Sequence, residues 1–328
     1  MFHHVLNISD FTKSDLDYIL SVAGNIAKNP ARYREVAKGK ILATLFFEPS
    51  TRTRLSFESA MLRLGGGVIG FSDMSASATA KGETMEDTSR TVSCYCDVMS
   101  VRHPVPFSPH KMSAVATVPV INAGDGANEH PTQTITDLVT ISQRFKRLHN
   151  LTIGLCGDLK YGRTVHSLIK MLSRYKGNRF ILISPDALKM PREIIDMLDG
   201  ENINYETTES LDDAIPALDI LYMTRVQRER FDDKSEYERL KDFYILDREK
   251  LSLAKRDMIV LHPLPRVDEI STDVDTDERA WYFKQAQYGV YARMALIISL
   301  LGLKDLMGDD TLYIKPVSDY GKKIPNVS

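Results

Sequence analysis

The sequence predicts an α/β protein built as two doubly wound domains, each a parallel sheet covered by helices. Three observations predict it. The chain has 328 residues, about twice a typical domain, which leaves room for two sizeable cores. Short apolar, often β-branched runs alternate with helix-period segments over most of its length, the pattern that parallel strands with covering helices require. The hydrophobic share of 43% and charged share of 26% are those of a globular protein, so long disordered stretches are not expected.

The first helix is expected over 12–28, followed by the apolar strand 41–47 (ILATLFF). Ser50 is a natural N-cap for the amphipathic helix 51–64, whose apolar residues include Leu55, Met61, Leu62 and Leu64. Strand 67–73, helix 84–95, strand 98–103 (VMSVRH) and strand 119–124 (PVINAG) come next. Pro131 suits the first position of a helix over 131–146. The pattern pauses at Gln143–Asn150 (QRFKRLHN), and a domain boundary is expected nearby. A second series follows: strand 151–158 (LTIGLCGD), helix 162–175, strand 179–184, helix 191–199, strand 219–225 (DILYMTR) and strand 258–265 (MIVLHPLP). The last helix, 285–302, has no strand of its own to cover, so it is expected to return to the first domain. The segment after Leu306 carries Gly, Pro and charge without clear period and reads as a tail.

Forty-two Lys and Arg against 44 Asp and Glu give a net charge of −2, which argues against a nucleic-acid binder working through bulk positive charge. Any anionic ligand must then be held by a local cluster. The longest largely apolar run, Met294–Leu303, is about half the length of a bilayer crossing, and the N-terminal residues lack the basic-then-apolar order of a signal peptide. A cytoplasmic protein without a membrane partner is expected. Cys94, Cys96 and Cys156 lie in apolar stretches with no ligand spacing, so structural burial is expected for all three and no metal is called for.

The chemistry concentrates after the strands. Ser50-Thr51-Arg52-Thr53-Arg54 follows an apolar strand and opens a helix. A helix start offers unpaired N–H groups and the positive end of its dipole; three hydroxyls and the planar fork of Arg52 complete a phosphate site. A well-capped helix with exposed arginines is the plainer alternative. GxxxxGK[ST] does not occur, so the phosphate is expected on a small molecule rather than a nucleoside triphosphate. His130-Pro131-Thr132-Gln133 follows a turn-rich loop and places an imidazole and a carboxamide at a helix start, where they could hold a small carbonyl compound; a cap or surface histidine is the plainer alternative. Arg102 closes strand 98–103, so Ser50, Arg102 and His130 are expected at one sheet edge, with an ordinary salt bridge as the alternative for Arg102.

In the second half, Arg163 follows strand 151–158 and Arg225 ends strand 219–225. Gly154, Gly157 and Gly162 do not form GxGxxG, which rejects a dinucleotide site. His262-Pro263-Leu264-Pro265-Arg266 runs from a strand into two prolines, which set backbone direction and leave carbonyls free to accept hydrogen bonds; a rigid turn is the plainer alternative. Glu48 reads most simply as a buried partner of Arg54.

FFEPSTRTRLSFE, RHP, HPTQT, DLKYGRTVHSL, LYMTRVQRER and LHPLPRVDE, in this order and spacing, resemble the aspartate/ornithine carbamoyltransferases. The likeness runs from about Asp10 to Leu303, and the TRVQ and LHPLPR segments favour the aspartate branch over the ornithine branch, which carries HCLP. The resemblance implies a carbamoyl-phosphate-binding domain over 1–134 completed by helix 285–306, an aspartate-binding domain over 135–284, a tail over 307–328, and an active site in the cleft between the domains. It implies attack of the α-amine of L-aspartate on carbamoyl phosphate, with no cofactor and no metal. Ser50, Thr51, Arg52 and Thr53 would hold the phosphate, Arg102 and His130 the carbonyl oxygen, and Gln133 with the Leu264 and Pro265 carbonyls the carbamoyl amide. Arg163, Arg225 and Gln227 would hold the aspartate carboxylates, and Glu48 would steady Arg163 and Arg230 on domain closure. Lys81, with Ser77 beside it, would be given to the neighbouring site of a homotrimer, and a separate regulatory chain is a candidate partner. A carbamoyltransferase for another amine and a non-catalytic sensor that binds carbamoyl phosphate are the rival readings.

Overall fold

The computed structural model describes residues 3–72, 82–126, 128–226 and 244–303. They form two compact units, one ending at Thr132 and regained from Val290, the other spanning Gln133–Gly289.

In the first unit, α1 (Lys13–Lys28) starts at Thr12, whose hydroxyl accepts the Asp15 N–H while the Asp15 carboxylate takes the Thr12 N–H. Strands β1 (Ile41–Phe46), β2 (Gly67–Phe71), β3 (Val98–His103) and β4 (Val120–Asp125) form an all-parallel sheet in the order β2-β1-β3-β4. Helices α2 (Thr51–Arg63), α3 (Met85–Ser93) and α4 (Ser108–Ser113) connect them. Ala43, Leu45, Phe47, Met99, Val101, Met112 and Val120 form a buried cluster, so alternate residues of β1 and β3 share one face of the sheet.

Helix α5 (Pro131–Phe145) carries the chain into the second unit, where β5 (Thr152–Cys156), β6 (Arg179–Ile183), β7 (Asn204–Thr208), β8 (Ile220–Met223) and β9 (Ile259–Leu261) form a second parallel sheet, ordered β7-β6-β5-β8-β9. Helices α6 (Arg163–Leu172), α7 (Arg192–Gly200), α8 (Leu211–Ala214) and α9 (Arg248–Ser252) surround it, and α10 (Tyr282–Leu300) carries the chain back. Among the described residues no helix is long and apolar enough to cross a membrane.

Four elements are absent from the sequence-based expectation. Strand β7 (NYETT) is a polar edge strand with little buried surface, so it shows no apolar run. Helices α4, α8 and α9 span only four to six residues, too short for a helical period to register. The cysteines divide: Cys156 is buried, Cys96 half-buried, and Cys94 exposed just past α3, so burial does not explain all three. Burial pushes the Cys96 thiol up to about 11 and the Cys156 thiol further in the same direction.

Four carboxylates of the second unit are held below their ordinary range. Arg266 donates to Asp275 (2.6 Å to Oδ2), Arg279 to Asp277 (2.8 Å), and the Lys250 N–H to the α9 N-cap Asp247 (2.8 Å). Burial pushes Glu269 up, and hydrogen bonds from His262 and the Val267 N–H outweigh it. Below the unfolded values of 3.8 and 4.5 the unfolded chain binds more protons at these sites than the native one. Their stabilisation is therefore complete above that range and lost as pH falls through the depressed native values. Thermal unfolding followed down to about pH 3 is expected to show a falling midpoint, with Arg266→Gln flattening the acid limb.

Candidate active site

In the first unit the chain order β1-β2 runs to one side of β1 and β3 lies on the other, so β1 and β3 flank the point where strand order reverses. Ligands of open parallel sheets bind beyond the carboxyl ends of such a pair. Phe46 pairs in register with Arg102, and the Phe47 N–H bonds the Arg102 carbonyl at 2.9 Å, which brings Ser50–Thr53 and Arg102 to that edge.

Ser50 occupies the N-cap position of α2, yet its hydroxyl makes no capping bond, correcting the expected cap. The hydroxyl is thus not committed to the helix, and the first N–H groups of α2 face the same end. Thr51 and Arg52 are exposed and Thr53 half-buried. Glu48 does not pair with Arg54. It bonds Arg102 (2.5 Å), and Arg54 bonds Glu58 (2.6 Å). The reason is geometric: Arg54 and Glu58 lie one helical turn apart, while β3 delivers Arg102 beside Glu48. Arg102 also donates to the Ala123 carbonyl at 3.3 Å, so β4 fixes one side of its fork.

Asp125, fully buried at the end of β4, shapes the loop that leads to His130. Its carboxylate accepts from Asn122 (3.0 Å), Asn128 (3.0 Å) and the N–H groups of Phe107 (2.9 Å) and Glu129 (3.1 Å). His130 is buried and lies 3.3 Å from the Thr132 hydroxyl through Nδ1. Three of these contacts are local, three or four positions along the chain, and only the bond from Phe107 comes from a distant segment.

The second unit repeats the arrangement. β5 and β8 flank its reversal point, and Arg163 and Arg225 follow them. Both are half-exposed. Thr224 ties the two loops: its hydroxyl accepts the Asp158 N–H (2.9 Å) and donates to the Cys156 carbonyl (3.0 Å). Buried Asp158 in turn accepts the Tyr161 N–H at 2.9 Å, setting the turn before Arg163. Gly157 sits at φ +113°, and a Cβ there would lie 2.4 Å from the Thr224 carbonyl oxygen. Gly157→Ala is expected to cost about 1–3 kcal/mol, read as a lower midpoint of denaturant unfolding, and to weaken any ligand that bridges Arg163 and Arg225.

Leu264 and Pro265 follow β9 on the same edge, with Leu264 at φ 56°. Gln133 lies in the first turn of α5 and donates to Asp137 at 2.8 Å. Ser77, Lys81, Gln227 and Arg230 lie outside the described residues, as does the segment 307–328.

Known proteins extend these observations. The family model of the aspartate/ornithine carbamoyltransferase carbamoyl-P binding domain matches residues 3–143, and that of the Asp/Orn binding domain matches 149–300. The aspartate carbamoyltransferase catalytic subunit of Clostridium novyi is 58% identical over 301 residues, covering 92% of this chain and 98% of that one. That of Clostridium perfringens is 59% identical over 300 residues, covering 91% and 98%. The catalytic subunit of M. jannaschii aspartate transcarbamoylase superposes with a TM-score of 0.86 at 45% identity, over 94% of this chain and all of that one. The Trypanosoma cruzi aspartate transcarbamoylase, solved with carbamoyl aspartate and phosphate, gives 0.82 at 40% identity over 90% and 95%. Matched in both halves, in order and over nearly its whole length, the chain belongs to the aspartate/ornithine carbamoyltransferase family.

Proposed function

We infer that this chain transfers the carbamoyl group of carbamoyl phosphate to the α-amine of L-aspartate, giving N-carbamoyl-L-aspartate and phosphate, a step of pyrimidine synthesis. The observation that carries the acceptor is the pair Arg163 and Arg225 at the reversal point of the second sheet, with their loops tied through Thr224. Two guanidinium forks on one edge suit a dicarboxylate. An amino acid with a cationic side chain would meet repulsion there.

On this reading the first unit supplies the electrophile's half of the chemistry. Ser50, Thr51, Arg52 and Thr53, with the N–H groups of α2, hold the phosphate; Arg102 and His130 donate to the carbonyl oxygen and stabilise it as it becomes an oxyanion. Each substrate carries about two negative charges near neutral pH, so several cations are needed to offset their repulsion. The second unit supplies Arg163, Arg225 and Gln227 to aspartate, and Gln133 with the Leu264 and Pro265 carbonyls to the carbamoyl amide. The amine attacks the carbonyl carbon, the tetrahedral intermediate collapses with cleavage of the carbon–oxygen bond to phosphate, and the departing phosphate accepts the amine's proton. Carbamoyl phosphate is already activated, so no covalent enzyme intermediate is needed.

The working unit on this reading is a cytoplasmic homotrimer, in which Lys81 and Ser77 complete the neighbouring site. Mixing a Lys81→Ala chain with an Arg52→Ala chain tests it: recovered activity in mixed trimers is expected, and no recovery would sink the shared site. The reaction itself is tested by phosphate release from carbamoyl phosphate, with L-aspartate compared against L-ornithine. Aspartate-dependent release is expected. Release with ornithine alone would overturn the assignment of Arg163 and Arg225, and release with neither would favour a binding-only protein.

A further inference from the structure

A buried hydrogen-bond chain lies behind the carbamoyl-recognising residues of the second unit. At its centre is Asp137, fully buried. Its Oδ1 accepts from Gln133 Nε2 (2.8 Å) and from Gln285 Nε2 (2.7 Å), and its Oδ2 accepts from the Tyr222 hydroxyl (2.9 Å). Burial, then the neighbouring carboxylate, pushes the Tyr222 phenol well above its ordinary range, so it stays a donor.

Gln285 extends the chain. Its Oε1 accepts the His262 N–H at 2.9 Å. His262 Nδ1 accepts the Leu264 N–H at 2.8 Å, which places the ring proton on Nε2, and Nε2 donates to Glu269 Oε1 at 2.7 Å. The other Glu269 oxygen accepts the Val267 N–H at 3.0 Å. These bonds close the 262–269 loop on itself and hold Leu264 at φ 56°, a left-handed conformation that disfavours a non-glycine residue. A continuous chain thus runs from the Gln133 carboxamide through Asp137, Gln285 and His262 to Leu264. Every side chain between the two ends is buried: Asp137 0%, Gln285 2% and His262 2% exposed.

We propose that Asp137 and Gln285 are positioning residues that hold Gln133 and the Leu264–Pro265 carbonyls as one rigid recognition element for the carbamoyl amide. The proposal rests on the reading above that Gln133, Leu264 and Pro265 meet that amide. The physical reason is orientation. Gln133 carries a donor and an acceptor that are interchangeable by a flip of the amide, and the bond from its Nε2 to Asp137 fixes which end is presented. The Leu264 backbone, strained on its own, is fixed through His262 to the same carboxylate.

Full-length Gln133→Ala, Gln285→Ala and the double variant test this, each assayed for kcat/KM with carbamoyl phosphate, aspartate KM and inhibition by inorganic phosphate. Gln285→Ala is expected to lower kcat/KM for carbamoyl phosphate by about 10- to 100-fold. The aspartate KM, set by Arg163 and Arg225 in the same unit, and the phosphate inhibition constant, set in the other unit, should each move by less than about twofold. The double variant should lose less than the product of the two single losses. If Gln285→Ala does not fold, Gln285→Met, which keeps the length and loses both bonds, carries the same expectation. Independent losses in the double variant, or aspartate and phosphate affinity falling in step with carbamoyl phosphate, would overturn the positioning role. An unchanged kcat/KM in Gln133→Ala alone would instead remove the underlying assignment of Gln133.

Discussion

Replacing Arg52 with alanine is expected to lower kcat by about 10²- to 10³-fold while leaving the unfolding midpoint nearly unchanged. Arg52 is the second residue of α2 and is exposed. Substitutions at such surface positions typically change stability by less than about 0.5 kcal/mol. The expected loss has a different origin. On the proposed assignment the guanidinium neutralises phosphate as it departs, an interaction that strengthens as charge develops on the leaving group, so its removal lowers kcat and not only affinity. Steady-state rates with calorimetry on the same preparation check it. A fall confined to KM would mean that Arg52 binds the ground state alone, and an unchanged rate would remove it from the site.

The second large effect is expected at Arg163 and Arg225. Each Arg→Ala change should raise the aspartate KM by about 10- to 100-fold, since hydrogen bonds to a charged group contribute about 1.5–3 kcal/mol. Carbamoyl phosphate binding, assigned mainly to the first unit, should change little. Both arginines follow strands at the reversal point of the second sheet, and the Thr224 hydroxyl fastens their two loops together. Aspartate titrations at saturating carbamoyl phosphate, paired with direct measurement of carbamoyl phosphate binding, check the split. Equal loss of both substrates would assign the arginines to the scaffold and not to the acceptor.

The long elements and the strand-end positions of the polar residues were legible in the chain. Apolar runs such as ILATLFF and DILYMTR contain β1 and β8, and helical periods mark α1, α2 and α5 to within a few residues. Strand β7 escaped because its residues face water at a sheet edge, and α4, α8 and α9 because one or two turns carry no period. The pairing of Glu48 was misread toward Arg54. Arg54 is the nearer arginine in the chain, whereas β3 supplies Arg102 from across the sheet.

Parallel α/β class, strand-to-helix turns rich in hydroxyls and arginines, and the family likeness are properties of residue type, spacing and order along the chain, which need no knowledge of contacts. They are therefore readable before any fold is known. Which side chain steadies which was decided only in three dimensions. Asp137 meets Tyr222 and Gln285 from 85 and 148 positions away, Asp158 meets Thr224 from 66, and Arg102 reaches Glu48 because two strands pair in register. A buried polar group must find a partner or bear the cost of desolvation, and the fold chooses that partner by bringing distant chain segments to within hydrogen-bonding distance.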